Sequence, residues 1–240
     1  MNRTFVEIPL SQSIDNTHKL LNWVTGYSDH VVFLNSNQLG TDPYGRYDAI
    51  LAVGRYDNFL PDNGSGHFQG LEDFTVRHDD WIFGFLSYDL KNQLEELYSE
   101  NQDKVGMPLM NFFVPELLFI WENGQCKLGV IDTVQNIHRK AKSILDYISS
   151  VRLQKEEPPS VDVKQRVSRT KYINTVQQIK NYIKRGDIYE VNYCMEFYAE
   201  NAELDPVSTY CRLNVMNPSP FSTFCKFENK YLLSDRKSVV

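Results

Sequence analysis

Apolar residues recur at helical spacing in several stretches, with short continuous or alternating apolar runs between them. Ile14 to Thr25 reads as a helix with Ile14, Leu20, Leu21 and Val24 on its apolar side. Val134 to Val151 is another, carrying Ile137, Ala141, Ile144, Leu145 and Ile148 at i, i+3, i+4 spacing. Tyr172, Val176, Ile179 and Ile183 mark a third, and Gly186 follows it where a left-handed cap carries no Cβ penalty. Leu90 to Tyr98 has helical spacing, and Cys211 to Met216 closes a helix stopped by Asn217-Pro218.

Strands are expected at Val31 to Leu34, Ala49 to Val53 and Trp81 to Tyr88. Pro115 to Trp121 and Cys126 to Ile131 flank Glu122-Asn123-Gly124-Gln125, where Asn-Gly predicts a tight hairpin turn. Ser222 to Phe227 and Tyr231 to Leu233 form a second hairpin about Glu228-Asn229-Lys230. The sharpest two-residue period puts Tyr189, Val191, Tyr193, Met195 and Phe197 on a face expected to be core, with Glu190, Asn192, Cys194 and Glu196 opposite. Strands that run in hairpins, without regular strand–helix alternation, predict an α+β fold with antiparallel sheets packed together and helices outside. Lys155-Glu156-Glu157-Pro158-Pro159-Ser160 is the clearest break in pattern. It divides the chain into a first domain at 1–154, a linker at 155–168 and the start of a second domain at 169–234.

Composition narrows the function more than the fold. The net charge of −6, without a Lys/Arg-rich block, argues against nucleic acid and anionic membrane as partners. No apolar run is long enough to span a bilayer, and Met1 to Leu10 lacks the plan of a secretory signal. Cys126, Cys194, Cys211 and Cys225 show no metal-ligand spacing, and free thiols fit a cytoplasmic location. Cys194 and Cys225 lie in strand-like segments and read as small core residues. The five histidines are scattered and receive no role. Phosphate loops, nucleophile elbows and zinc-protease motifs do not occur.

Four segments carry chemistry-bearing patterns. They are Asp42-Pro43-Tyr44-Gly45-Arg46-Tyr47-Asp48, Phe83-Gly84-Phe85-Leu86-Ser87-Tyr88-Asp89, Gly186-Asp187-Ile188-Tyr189-Glu190-Val191-Asn192-Tyr193 and Asn217-Pro218-Ser219-Pro220-Phe221. In that order they resemble motifs of the chorismate-binding enzymes, most closely aminodeoxychorismate synthase component I. Glu190 departs from the usual glutamine, keeping the acceptor and losing the amide donor.

The resemblance implies a fold of two α+β halves and amination of chorismate to 4-amino-4-deoxychorismate, for 4-aminobenzoate and folate synthesis. It implies Mg2+ as cofactor and ammonia from a glutamine amidotransferase partner. The catalytic and Mg2+-binding groups of the family fall in motifs expected beyond the end of this chain, so no catalytic residue is carried over and the chain alone is expected to be inactive. Anthranilate synthase component I is the alternative enzyme, and a non-catalytic tryptophan-binding module is the alternative of another class.

The same resemblance implies an L-tryptophan pocket at Ser36, Tyr44, Gly45, Arg46, Tyr47, Pro218, Ser219 and Phe221. Arg46 has a second reading as a surface arginine packed over aromatic rings, and Pro218-Ser219-Pro220 a second reading as a rigid helix stop. Past Leu233 the family pattern is lost. One codon choice for Asp235 to Val240, GAT CGG AAG AGC GTC GTG, is the body of a common sequencing-library adapter, so residues 235–240 are expected to be adapter-encoded.

Overall fold

The computed structural model describes residues 3–39, 45–61, 66–98, 101–131, 134–153 and 159–235. The elements in chain order begin with β1 (Thr4–Ile8), α1 (Ile14–Tyr27), β2 (His30–Asn35), β3 (Ala49–Val53), β4 (Asp57–Phe59), α2 (His67–Arg77) and β5 (Phe83–Leu86). A 3-10 helix at Tyr88–Gln93 leads to β6 (Met110–Val114), β7 (Leu117–Glu122), β8 (Gln125–Val130) and α3 (Val134–Ser150). Then follow β9 (Lys164–Gln165), α4 (Arg169–Arg185), β10 (Phe197–Tyr198), α5 (Pro206–Met216), β11 (Ser222–Phe227) and β12 (Lys230–Ser234).

The chain divides into two compact units, Met1–Gln154 with Pro206–Val240, and Lys155–Asp205. In the first, seven strands pair in the order β1-β8-β7-β3-β2-β11-β12 and three more in the order β4-β6-β5. Every pair is antiparallel, as the hairpin pattern predicts. Alternation then decides what each face buries. Val31, Phe33, Leu51, Val53, Phe119 and Phe224 turn to one side, where they pack with Leu20, Leu21 and Val24 of α1, Ile137, Ile144 and Ile148 of α3, and Tyr210 of α5. Val32, Ala52, Leu118, Ile120, Cys225 and Phe227 turn to the other and meet Phe83 and Phe113 of the three-stranded sheet.

Local chemistry fixes the element ends. Ser13 caps α1 by accepting from the Asn16 amide at 3.2 Å. Asn123 and Gly124 both have positive φ, 54° and 75°, the geometry of a two-residue hairpin turn. Gly186 caps α4 at φ 81°.

Five expectations are corrected. The segment 169–234 does not open a domain of its own, because α5, β11 and β12 belong to the first unit and β11 pairs with β2. Tyr189 to Phe197 is not a buried strand: Tyr189 is 93% exposed, and only Phe197–Tyr198 pair, with Lys164–Gln165. Alternation names the face a strand would bury, but a ladder needs a neighbour, and only β9 supplies one among the described residues. Cys194 is accordingly exposed while Cys225 is buried. Ile14 lies on the solvent side of α1, and the helix read at Leu90 to Tyr98 is confined to the 3-10 turn at Tyr88–Gln93. Most of the Lys155 to Ser160 segment, and residues 236–240, lie outside the described residues.

Candidate functional site

β2, β3 and β11 lie side by side, and their registers pair Leu34 with Ile50 and Thr223 with Leu34. These side chains floor a concavity of about 750 Å³ in the first unit. Its rim comes from the chain leaving β2 (Ser36, Gln38, Leu39), the chain entering β3 (Gly45 to Ala49), the β7–β8 turn (Asn123, Gly124) and the segment before β11 (Pro220, Phe221). The size suits a small-molecule ligand, and an apolar floor with a polar rim is the usual build of such sites.

The rim is held by a carboxamide network. Asn35 Oδ1 accepts from Gln12 Nε2 at 2.7 Å and from the Asn37 amide at 2.9 Å. This holds Asn37 and Gln38 at positive φ, 53° and 51°, a conformation asparagine tolerates better than most residues. Asn37 and Asn214 exchange reciprocal amide bonds at 2.8 Å, and Asn37 Nδ2 also donates to the Ser219 carbonyl at 2.7 Å. Tyr210 OH and Ser222 Oγ lie 2.9 Å apart beneath. Burial pushes the Tyr210 hydroxyl up to about 12, against the opposing pull of Ser222 and Asn35. β2 is thereby tied to the turn before β11 by side chains that are themselves partnered.

Ser36, Gly45, Arg46, Tyr47 and Phe221 border this concavity, where two segments far apart in sequence meet. Pro218 is exposed and outside its lining; Pro220 takes that place. Ser219 is wholly buried behind the wall, its hydroxyl accepting from the Phe221 amide at 3.4 Å. Tyr44 lies outside the described residues. The Arg46 side chain is 71% exposed, donates through Nε to Glu122 at 3.1 Å and lies 5.1 Å from the Tyr47 ring centroid. Arg46 is thus a surface arginine over an aromatic ring that also borders the concavity. Sequence reasoning missed Asn35, Gln38, Asp48, Asn123 and Thr223 in the lining; the cross-strand register would have found Thr223 once β2 and β11 were paired.

Among the described residues no group of three or more His, Cys, Asp or Glu could hold a metal ion, so no Mg2+ ligand set is assigned to this chain. No helix among them is long and apolar enough to cross a membrane.

The first unit is thus an antiparallel α+β unit with a ligand-sized concavity against its main sheet. Residues 13–235 match the family described as chorismate binding enzyme, and the chain belongs to that family. It is similar to the anthranilate synthase component I-like protein of Synechocystis sp., 29% identical over 149 residues, covering 61% of this chain and 30% of that one. It is also similar to aminodeoxychorismate synthase component 1 of Escherichia coli, 23% identical over 153 residues, covering 63% and 33%. The structure of anthranilate synthase component I from Streptococcus pneumoniae matches with a TM-score of 0.63 at 20% identity, over 81% of this chain and 51% of that one, a likeness of fold. The chain spans about a third of the length of these curated relatives.

Proposed function

We propose that this chain forms the amino-terminal part of a synthase that aminates chorismate to 4-amino-4-deoxychorismate, using Mg2+ and ammonia from a glutamine amidotransferase. The chain's own contribution is an amino-acid site, with L-tryptophan as the ligand whose indole suits the Leu34, Ile50 and Phe221 surface. The observation that carries the reading is the meeting of Ser36 to Tyr47 with Pro220 and Phe221 around one concavity, in a chain of the chorismate-binding family. Anthranilate synthesis is the second reading, favoured by the likeness to the anthranilate synthase component I-like protein of Synechocystis sp.. Neither reading routes a catalytic step through the residues described here.

Two measurements test this. Calorimetry of the chain with L-tryptophan should show saturable binding, and Arg46→Ala should weaken it by less than about tenfold, because an exposed arginine shared with Glu122 contributes modestly. Absence of heat would remove the amino-acid site. The product formed from chorismate and ammonia by the enzyme encoded at the complete gene should be 4-amino-4-deoxychorismate; anthranilate would establish the second reading.

A further inference from the structure

The lining of the concavity holds two charged residues among the described ones, Arg46 and Asp48. Their situations differ. Arg46 is neutralised by an ion pair with Glu122 at the exposed outer rim. Asp48 is only partly exposed, and no lysine, arginine or histidine among the described residues forms an ion pair with it. Its Oδ2 accepts one bond, from the Gly124 amide at 2.9 Å. A carboxylate has about four acceptor sites, so a single N–H leaves most of its capacity open.

The backbone of Asp48 is also held more firmly than that of an ordinary surface residue. Its amide donates to the Trp121 carbonyl at 2.8 Å, and its carbonyl accepts from the Ser36 amide at 3.0 Å and from Ser36 Oγ at 2.8 Å. The carboxylate thus sits on a fixed base between β3 and the β7–β8 turn. Two neighbouring acceptors are committed: Asn35 Oδ1 takes Gln12 and Asn37, and Ser36 Oγ accepts from the Gln38 amide. Gln38 and Asn123 offer only neutral amide oxygens, so Asp48 is the one anionic acceptor among the described lining residues. Thr223 Oγ1 donates to the Phe221 carbonyl and keeps only the neutral lone pairs of a hydroxyl.

We propose that Asp48 is the specificity-determining residue of this concavity, its carboxylate receiving the ammonium of the ligand and so selecting zwitterionic or cationic aromatic compounds over anionic ones. This rests on the amino-acid reading of the site and adds the group that reads the amine. A charge-assisted N–H to carboxylate bond on a partly dehydrated wall outweighs a neutral contact, and an aromatic acid without the amine would bring its own negative charge toward Asp48 uncompensated.

The experiment compares three probes on the whole chain by calorimetry: L-tryptophan, tryptamine, which lacks the carboxylate, and indole-3-propionate, which lacks the amine. The wild-type chain should bind L-tryptophan at least about tenfold tighter than indole-3-propionate, with tryptamine retaining more affinity than indole-3-propionate. Asp48→Asn keeps an acceptor for the Gly124 amide and should close that gap, leaving indole-3-propionate affinity unchanged or improved. Glu122→Gln, which removes the rim charge, should leave the ratio intact. Equal binding of L-tryptophan and indole-3-propionate by wild type, or an undiminished gap in folded Asp48→Asn, overturns the role of Asp48 while the amino-acid site stands. Failure of all three probes to bind wild type overturns both. The wild-type ranking needs no variant, so a misfolded Asp48→Asn does not spare the proposal.

Discussion

Arg3 shows how much of the first unit can hang on one side chain. Its guanidinium donates to both oxygens of Asp80, at 3.0 and 2.9 Å, and to the carbonyls of Pro115, Glu116 and Gly129. Both partners of the ion pair are almost wholly buried, at 3% and 4% exposure. The planar fork suits this many acceptors, and removing it strands a buried carboxylate. Arg3→Ala should cost roughly 3–5 kcal/mol in urea unfolding; a loss below about 1 kcal/mol would show the clamp to be dispensable. Buried acids give a second test at this scale. Burial raises the Cys225 thiol from 9.0 to about 12, and the Tyr210 hydroxyl from 10.0 to about 12. The folded state then keeps protons that the unfolded chain releases, so stability is full below about pH 9 and falls as pH rises toward 12. Melting temperature should hold flat from neutral pH to roughly pH 8.5 and then decline, and Cys126→Ala with Cys225→Ala should delay the onset by about one pH unit. A profile flat to roughly pH 11 would contradict this assignment.

Among the elements, β5 and β6 leave least room. A Cβ on Gly84 would lie 2.2 Å from the Asn111 carbonyl oxygen and 2.7 Å from Phe112 Cα, both backbone atoms that cannot swing aside. Gly84→Ala should therefore destabilise by about 1–3 kcal/mol and loosen the β5–β6 pairing, visible as faster amide exchange at Phe112 and Phe113. Unchanged exchange would mean the pair opens at no cost. α4 is the opposite case. It has sound caps at Ser168 and Gly186, yet none of its residues is buried. Helices of this length owe most of their stability to packing. Its amides should exchange roughly 100-fold faster than those of α1 or α3, and equal protection would indicate a covering layer. The same contrast explains what the sequence disclosed. α1, α3, β3 and the β7–β8 turn were legible because apolar spacing, caps and Asn-Gly act within a few residues. The Tyr189 to Phe197 alternation misled because its local signal was complete while its pairing partner was not.

At the scale of the whole chain, the break after Gln154 was legible, but the return to the first unit escaped the sequence because Pro206 to Ser234 carries no compositional mark of belonging with residues 1–154. The membership is set by β11 lying against β2, a pairing between positions almost the whole chain apart. The candidate site inherits that dependence. Ser36, Gly45, Arg46, Tyr47 and Phe221 could be named from the resemblance, whereas the place of Asp48 in the lining and the Asn35–Asn37–Asn214 network emerge only when β2, β3, β11 and α5 are assembled. Loss of the network should thus weaken ligand binding without contact to ligand. Asn37→Ala should lower L-tryptophan affinity while α1 and α3 keep their helicity by circular dichroism, and unaltered affinity would separate the network from the site.

The β2–β11 pairing also has a timetable. A ribosome delivers His30–Asn35 long before Ser222–Phe227, and Lys226 reaches back 201 residues to the Thr25 carbonyl. Until then Val32, Phe33 and Leu34 have β3 on one flank and nothing native on the other. Chain elongation at roughly 5–20 residues per second makes that interval on the order of ten seconds or more. For that time the β2 edge is open to any extended segment that arrives first. The nascent protein is therefore a natural client for chaperones, and its yield should depend on translation speed more steeply than its final stability would suggest.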